Sequence, residues 1–524
     1  MNLSTIKSPG VYVNEIDAFG NSVVPVPTAI PAFIGYTPQA VYEGKSYSNV
    51  PIKVTSFAEF IAIFGYANLP SSTTPIKQYD PQYYLAAQKE GEEDEKNVFI
   101  AGQYYALVPD PATIYYMYNS IKLFYQNGGS EAYIVSVGTY GPPSGKPIEL
   151  GEPIVNANVK LDQLLNGLQI LKKESNPTMY ICPEATLLSV AENGTLMQEM
   201  LSQCEEMETT ISIFGVIGGR NPDPLSWTTA IETFRNHTGT TGLSYGTAYY
   251  PFIITTIMEK SDIDYTNMLG GNFKELASLL KRLYSDNENV LTLLSQIENP
   301  PEDPRSVSEY NALLINVCPT YKAIHTGILK HVNTLPPSGA MAGIMTSVDN
   351  GVGVWKAPAN ISLNSVADIT IKISNIDQED LNMPMNGKAI NAIRSFPGMG
   401  ILIWGARTLD GNSQDWRYIS VRRTMIYIEQ SCKLAAQSCV FKPNTKNTWE
   451  AVKAMISSFL NDIWKQGALQ GTKAADAFSV ECGLGTTMTS DDIANGMMNI
   501  TIKVAVTHPA EFIVISFQQK MAES

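Results

Sequence analysis

Histidine is the usual base for a serine or cysteine nucleophile, and this chain has four: His237, His325, His331 and His508. None stands in a His-Gly-Thr context. His325 and His331 lie six residues apart and would point away from each other on a helix, which makes a poor metal pair. All four read as packing or surface histidines. Gly44-Lys45-Ser46 has the end of a phosphate loop, but Gln39 stands where that loop needs its first glycine. Gly398-Met399-Gly400 is followed by the strand-like run Ile401-Leu402-Ile403-Trp404 rather than by a helix that opens on phosphate, so a dinucleotide site is not expected. The cysteines (Cys182, Cys204, Cys318, Cys432, Cys439, Cys482) contain no C-x-x-C pair. Cys432 and Cys439 share a face of an expected helix about two turns (~10 Å) apart, beyond disulfide reach. All six read as buried small hydrophobes. The run Lys89–Lys96 carries five acids against two lysines, without the ligand spacing of a calcium loop, and reads as a solvated loop. Neither a metal nor a cofactor is expected.

The elements around these residues suggest several domains. Gly10–Ile16 alternates as a strand would, and Pro25, Pro27 and Pro31 then keep the chain extended, so the first thirty residues read as an arm. Ser56 is an N-cap candidate, with Glu59 completing a capping box. Leu123–Val135 reads as a helix end, a glycine turn and a buried strand, and Gly141–Pro147 punctuates the chain. From 149 to 345, apolar runs (178–184, 211–217, 245–252) alternate with helices at about 158–172 and 194–208, the pattern of a largely parallel sheet with covered faces. Residues 257–316 interrupt it as a partly helical insertion with a loop near Asn299–Pro304. Farther on, Trp449, Val452, Ile456, Phe459 and Ile463 recur at steps of three and four, an amphipathic helix capped by Asn447 or Thr448 and ended by Gly467. Ile500, Ile502, Val504 and Val506 alternate as a strand, and Pro509–Phe517 follows as a last extended segment.

Composition narrows the functional classes. At 524 residues the chain exceeds one ordinary core, and with 44% hydrophobic and 16% charged residues it is not a disordered chain. A net charge of −14 argues against a non-specific grip on nucleic acid, and no contact with nucleic acid is expected. No run approaches the roughly 18 apolar residues of a spanning helix, so membrane insertion is not expected, and the start has no apolar secretion signal. Synthesis in the cytoplasm is the simple reading.

Two neighbouring stretches carry a family resemblance. Ile390-Asn391-Ala392-Ile393-Arg394, continuing through Gly398, Gly400, Trp404-Gly405-Ala406-Arg407 and Asp410, resembles the hallmark of contractile-tail sheath proteins. Tyr418 to Glu429, with Val421-Arg422-Arg423-Thr424, resembles the motif that comes after it. Further likeness falls in family order at roughly 9–68, 120–137, 178–184, 245–252 and 335–520, the last including Leu335–Gly343 and Gly351–Asn360. Residues 69–118 and 257–316 match nothing in the family. Pro25–Tyr36 looks more like sheaths of extracellular contractile injection systems than like those of most phages.

The resemblance implies an α/β and α+β multidomain chain. Its parts would be an N-terminal arm (1–30), an N-terminal region with the acidic insert (31–148), and an α/β middle domain resembling a subtilisin-like scaffold (149–345). A sheath-type α+β C-terminal domain (346–507) and a C-terminal arm (508–524) would complete it. It implies stacked hexameric rings of copies of this chain around an inner tube, contraction that drives the tube through a target envelope, and baseplate and terminal cap proteins as further partners. Assembly would take place in the cytoplasm of the producing bacterium, in a particle then extracellular or cell-associated. A virion tail sheath is the alternative, and a subtilisin-like serine hydrolase the alternative of another class. Ser338-Gly339-Ala340-Met341-Ala342 resembles the nucleophile segment of such hydrolases but lacks their Gly-Thr-Ser order. The arms are expected to add strands to neighbouring subunits through Val11, Tyr12, Val13, Glu511, Phe512, Ile513, Val514 and Ile515. On the helix at about 448–466, the polar face Glu450, Lys453, Ser457, Asn461 and Lys465 is the candidate surface for the tube. Arg394, Arg407, Arg422 and Arg423 are expected to make ion pairs inside the domain, the alternative being to grip acidic groups of adjoining subunits.

Overall fold

The computed structural model describes residues 22–66, 76–88 and 98–514. Val11, Tyr12, Val13, Ile515 and the acidic run 89–96 lie outside the described residues. The chain divides into two compact units, one drawn from Met1–Val26 and Thr424–Thr507, the other from Pro27–Arg423 and His508–Ser524.

The larger unit is built on a nine-stranded sheet. Its strands are β1 (Pro31–Thr37), β2 (Ile52–Val54), β3 (Ala132–Thr139), β4 (Met179–Ile181), β5 (Ile211–Gly215), β6 (Gly246–Tyr250), β7 (Ile361–Ser362), β8 (Asn391–Phe396) and β9 (Gly400–Trp404). They lie in the order β7-β9-β8-β6-β5-β4-β1-β3-β2. From β8 to β3 neighbouring strands are parallel, and β2, β9 and β7 add antiparallel edges. Every residue of β1, β4 and β6 is buried, as a sheet covered on both faces requires. Successive residues of β1 show the two cover layers. Phe33 packs edge-on against Phe124 of the helix Met117–Gln126, 5.5 Å between ring centres. Ile34 faces the opposite side, so close to Gly167 of the helix Leu161–Ile170 that a Cβ there would lie 2.9 Å from Ile34 Cγ2.

The parallel sheet expected for 149–345 is present, but it takes strands from both sides of positions 148 and 345. The Gly141–Pro147 stretch is largely exposed surface loop, so β3 and β4 flank β1 without interruption. The insertion is helical: Phe273–Leu283, Glu288–Glu298 and Val307–Val317. Residues 69–118, which matched nothing, supply the strands Tyr83–Ala87, Val98–Ile100 and Gln103–Pro109 of a separate antiparallel sheet. At the first helix, Phe57–Phe64, Ser56 caps Glu59 N as expected, while the Glu59 carboxylate reaches back to Thr55 N (2.7 Å) rather than to Ser56.

The smaller unit holds the helix Lys446–Lys465 and a two-stranded antiparallel ribbon, Phe478–Glu481 with Thr501–Val504. The apolar stripe buries Val452, Met455, Ile456, Phe459, Leu460 and Ile463. The N-cap falls at Thr445 rather than at Asn447 or Thr448, because Thr448 Oγ1 donates to Pro443 O (2.7 Å) from inside the first turn. Gly467 ends the helix at φ +90°, with the backbone N–H of Ala468 closing on Ile463 O.

Candidate functional site

The stretch Ile390–Asp410 folds into the hairpin β8–β9 and the turn beyond it. Gly398 and Gly400, at φ +76° and +84°, make a tight connection that residues with a Cβ resist. After β9 the chain passes Asn391 so closely that a Cβ on Gly405 would lie 2.6 Å from Asn391 Oδ1. Asn391 uses that proximity. Its Nδ2 donates to Thr247 Oγ1 (2.9 Å) and Arg407 O (2.8 Å), and its Oδ1 accepts from Arg407 N (2.8 Å). The spacing Asn391, Gly405, Arg407 therefore fixes the backbone from which the Arg407 side chain departs.

Arg407 is 1% exposed, and its guanidinium takes the carboxylate of Glu511, 104 residues later. Nε and Nη2 donate to Oε1 (3.0 Å) and Oε2 (2.6 Å), the planar fork-on-fork geometry that lysine cannot reproduce. Nη1 donates to Asn382 O (3.2 Å) and Gly411 O (3.0 Å). Asn382 Nδ2 (2.7 Å) and the Tyr418 hydroxyl (3.1 Å) also donate to the carboxylate. Burial works to raise the Glu511 pKa, but the hydrogen bonds from Arg407, Asn382 and Tyr418, with the guanidinium charge, hold it below the ordinary carboxylate range. The next three residues, Phe512, Ile513 and Val514, are 68%, 78% and 89% exposed. Among the described residues, no backbone hydrogen bond holds 509–514.

The other three arginines also find partners inside the larger unit. Arg394 donates to Ile373 O, Gln378 Oε1 and Asn375 Oδ1. Arg422 stacks on Trp416, 3.5 Å from the ring centre, and donates to Ser244 Oγ. Arg423 forms a bidentate pair with Asp349 (3.0 and 2.6 Å) and donates to Thr28 O. The four arginines thus serve packing and ion pairing within the unit.

In doubly wound sheets ligands bind beyond the carboxyl ends of the strands where the order of winding reverses. Here the chain goes from β1 to β3 on one side and then to β4 on the other. Side chains fill that crevice. Glu184, fully buried just after β4, accepts from the backbone N–H groups of Met117 (2.8 Å) and Tyr116 (3.2 Å) at the start of the helix Met117–Gln126. The Tyr116 hydroxyl accepts from Arg220 Nη1 (2.9 Å). A Cβ on Gly35 would collide with Glu184 Oε2, which has no hydrogen-bond partner. The helix start that could hold an anionic ligand is thus taken by a carboxyl of the chain itself. Burial pushes this carboxyl up to about 7, against the pull of the backbone donors. The motif around Pro183 contained Glu184 without revealing this role. An acid directly after a wholly apolar strand was the available signal.

The histidines and Ser338 are not brought together as a triad. His325 Nε2 meets the carbonyls of Lys260 (3.0 Å) and Ile263 (2.9 Å), and His237 Nδ1 meets Thr233 O (2.8 Å). His331 packs beside Tyr83, where burial, the Arg220 guanidinium and Lys330 push its pKa down to about 3. His508 lies edge-on to Tyr418. Ser338 is buried in the helix Ser338–Gly351, which packs on Met117–Gln126 so tightly that a Cβ on Gly339 would lie 2.6 Å from Ser120 O. The six cysteines are free and buried. Among the described residues, no group of three or more histidine, cysteine or acidic side chains could hold a metal ion, and no helix is long and apolar enough to cross a membrane.

In the smaller unit, Glu450 and Lys465 of the candidate tube-facing set are exposed, while Lys453, Ser457 and Asn461 are half-buried. Glu450 and Lys453 pair at 2.9 Å. The most exposed stripe is turned slightly from that set and runs through Asn447, Ala451, Ala454, Ser458 and Asp462. The turn arises because Met455 and Leu460 join the buried stripe and widen it toward the lysine side.

Comparison with known proteins agrees with this architecture. The family model described as phage tail sheath C-terminal domain matches residues 412–520. Among solved structures, the chain is similar to the sheath of an extracellular contractile injection system, PVC, in its contracted state. The identity is 23%, the match covers 98% of this chain and 98% of that one, and the TM-score is 0.58. It is also similar to the helical sheath of the anti-feeding prophage (AFP) in its contracted state, at 23% identity, 98% and 100% coverage and TM-score 0.57. A chain of the AFP baseplate in its contracted state matches at 23% identity, 98% and 99% coverage and TM-score 0.60. No curated protein matches by sequence. The fold over nearly the whole chain is that of contractile sheath subunits. Residues 412–520 match the phage tail sheath C-terminal domain family, and along nearly its whole length the chain is similar in fold to the PVC and AFP sheaths.

Proposed function

We propose that this chain is the structural subunit of a contractile sheath in an extracellular contractile injection system. Copies polymerise as stacked hexameric rings around an inner tube, bounded by baseplate and terminal cap proteins, and contraction drives the tube through a target envelope. The observation that carries the reading is the end-to-end likeness to the contracted PVC and AFP sheaths, with the sheath C-terminal domain at 412–520. Buried arginine pairs and a filled strand-end crevice suit a subunit whose role is to hold shape under load rather than to turn over a substrate. The particle assembles in the cytoplasm of the producing bacterium and acts outside it.

Within this reading the terminal arms link subunits through backbone ladders, by way of Val11–Val13 and Glu511–Ile515, and the helix Lys446–Lys465 offers Glu450, Lys453, Ser457, Asn461 and Lys465 to the tube. Exposed ion pairs are worth only about 0–1 kcal/mol each, which suits a tube that must be held and then released. Negative-stain microscopy of the purified protein tests the proposal. Long cogwheel-sectioned tubes support it; discrete particles with peptidase activity would replace it with a hydrolase.

A further inference from the structure

The Arg407–Glu511 contact joins a fully buried cation to an acid that sits one residue before an exposed, apolar and unladdered segment. A carboxylate that accepts from Arg407 twice, from Asn382 and from Tyr418 is held on the larger unit by its side chain alone, since its backbone makes no hydrogen bond. That is a peg in a socket. The segment beyond the peg cannot stay bare in a finished assembly: three apolar residues in a row, with free backbone donors and acceptors, form a template for pairing with another strand. Among the described residues, each copy also carries a ribbon two strands wide, Phe478–Glu481 with Thr501–Val504, to which a further strand could be added.

We propose that Glu511 is a positioning residue, seated in the Arg407–Asn382–Tyr418 socket so that residues 512–514 leave the larger unit at a fixed point and direction to be received by a second copy of this chain. The inference rests on the sheath reading for its partner. The socket itself is tested on the isolated subunit. The peg lowers the entropy cost of docking, because a segment tethered at Glu511 samples far fewer orientations than one held only as far as His508, which lies against Tyr418.

The test uses the full-length chain with Glu511→Gln, Glu511→Ala and Tyr418→Phe, and a form ending at Glu511. Carboxypeptidase trimming of the folded, unassembled subunit is followed by mass spectrometry, with thermal unfolding and sedimentation of polymers in parallel. The wild type should be trimmed to Glu511 and stop there. Glu511→Ala should be trimmed past 511 about 10- to 100-fold faster, the range for loss of hydrogen bonds to a charged group, and Tyr418→Phe by a smaller factor. Glu511→Gln keeps the size of the peg and should fold, yet lose most of its protection. Both Glu511→Ala and the form ending at Glu511 should fail to form long polymers, although the latter keeps its thermal midpoint. Trimming that runs equally fast through 511 in the wild type and the variants would overturn the peg, whether or not the protein polymerises. Polymers of normal length from Glu511→Gln and Glu511→Ala would overturn its role in assembly. A wild type that never polymerises but stops trimming at Glu511 would leave the socket standing and remove the sheath reading instead.

Discussion

Glu184→Gln is a sensitive probe of how the strand-end crevice is filled. The Glu184 carboxyl is raised from 4.5 to about 7 by burial, and at about 1.4 kcal/mol per unit the folded state loses roughly 3 kcal/mol when the group must ionise. Linkage gives the sign. A group whose folded pKa lies above its unfolded value stabilises fully below the unfolded value, and that contribution is lost as pH rises through about 7. His331 acts in the opposite sense: its folded pKa is lowered to about 3, so its contribution is present above the ordinary histidine range and is lost as pH falls. The two slopes oppose one another in mildly acidic solution, and the wild type alone would report neither. The difference between the wild type and Glu184→Gln cancels the histidine. The glutamine keeps an oxygen for the N–H groups of Tyr116 and Met117 but places its amide where Oε2 now lacks a partner, a roughly pH-independent cost of about 1–3 kcal/mol. Urea unfolding of both proteins from about pH 4.5 to about pH 8 should therefore show the variant gaining on the wild type by roughly 3 kcal/mol across the range, whatever the offset. A difference that stays flat within about 1 kcal/mol would refute the claim that burial keeps this carboxyl protonated in mildly acidic solution.

Three further outcomes are expected. Lys453→Glu with Lys465→Glu should load poorly onto inner tubes or contract early, with the thermal midpoint of the subunit unchanged; equal loading at low and moderate salt would rule out this helix face as the tube contact. Deleting residues 1–24 should leave circular dichroism and thermal unfolding close to wild type while abolishing long sheaths, and normal contractile tubes from that deletion would defeat the arm. Replacing 89–96 by a short Gly/Ser loop should spare polymer formation, and loss of assembly would show that the acidic run makes a necessary contact.

Much of the fold was legible in the sequence because burial on both faces leaves an unmistakable mark. The apolar runs 178–184, 211–217 and 245–252 contain the strands Met179–Ile181, Ile211–Gly215 and Gly246–Tyr250 of one sheet. The Gly141–Pro147 punctuation marks a loop between two strands that both pair with β1, since a turn signal reports a bend in the chain and not where contacts stop. The strands of 83–109 were missed because tyrosine and proline blur a period of two. Of the candidate assembly residues, Glu511 was named for its place in an extended segment, yet its partner could not be read locally: Arg407 lies 104 residues earlier and meets it only through the sheet. Arg407 itself was visible as part of a basic group, and Asn391 and Gly405 gave the register that aims it. Asn382 left no signal, because an asparagine that ends a short helix, here Asn375–Asn382, is an ordinary stop. The helix Lys446–Lys465 was legible in type and length, but its exposed stripe was displaced, because two additional apolar positions decide which side of a polar face is covered.

A sheath subunit must build a contractile sleeve from copies of itself. A helical reconstruction of polymers grown from the purified protein tests it most directly. The expected result is a hollow sixfold lattice in which each copy keeps its Arg407–Glu511 contact and places the segment after Glu511 along a strand of a neighbouring copy. Particles without helical order, or a lattice in which residues 512–514 lie bare and touch no other copy, would contradict it.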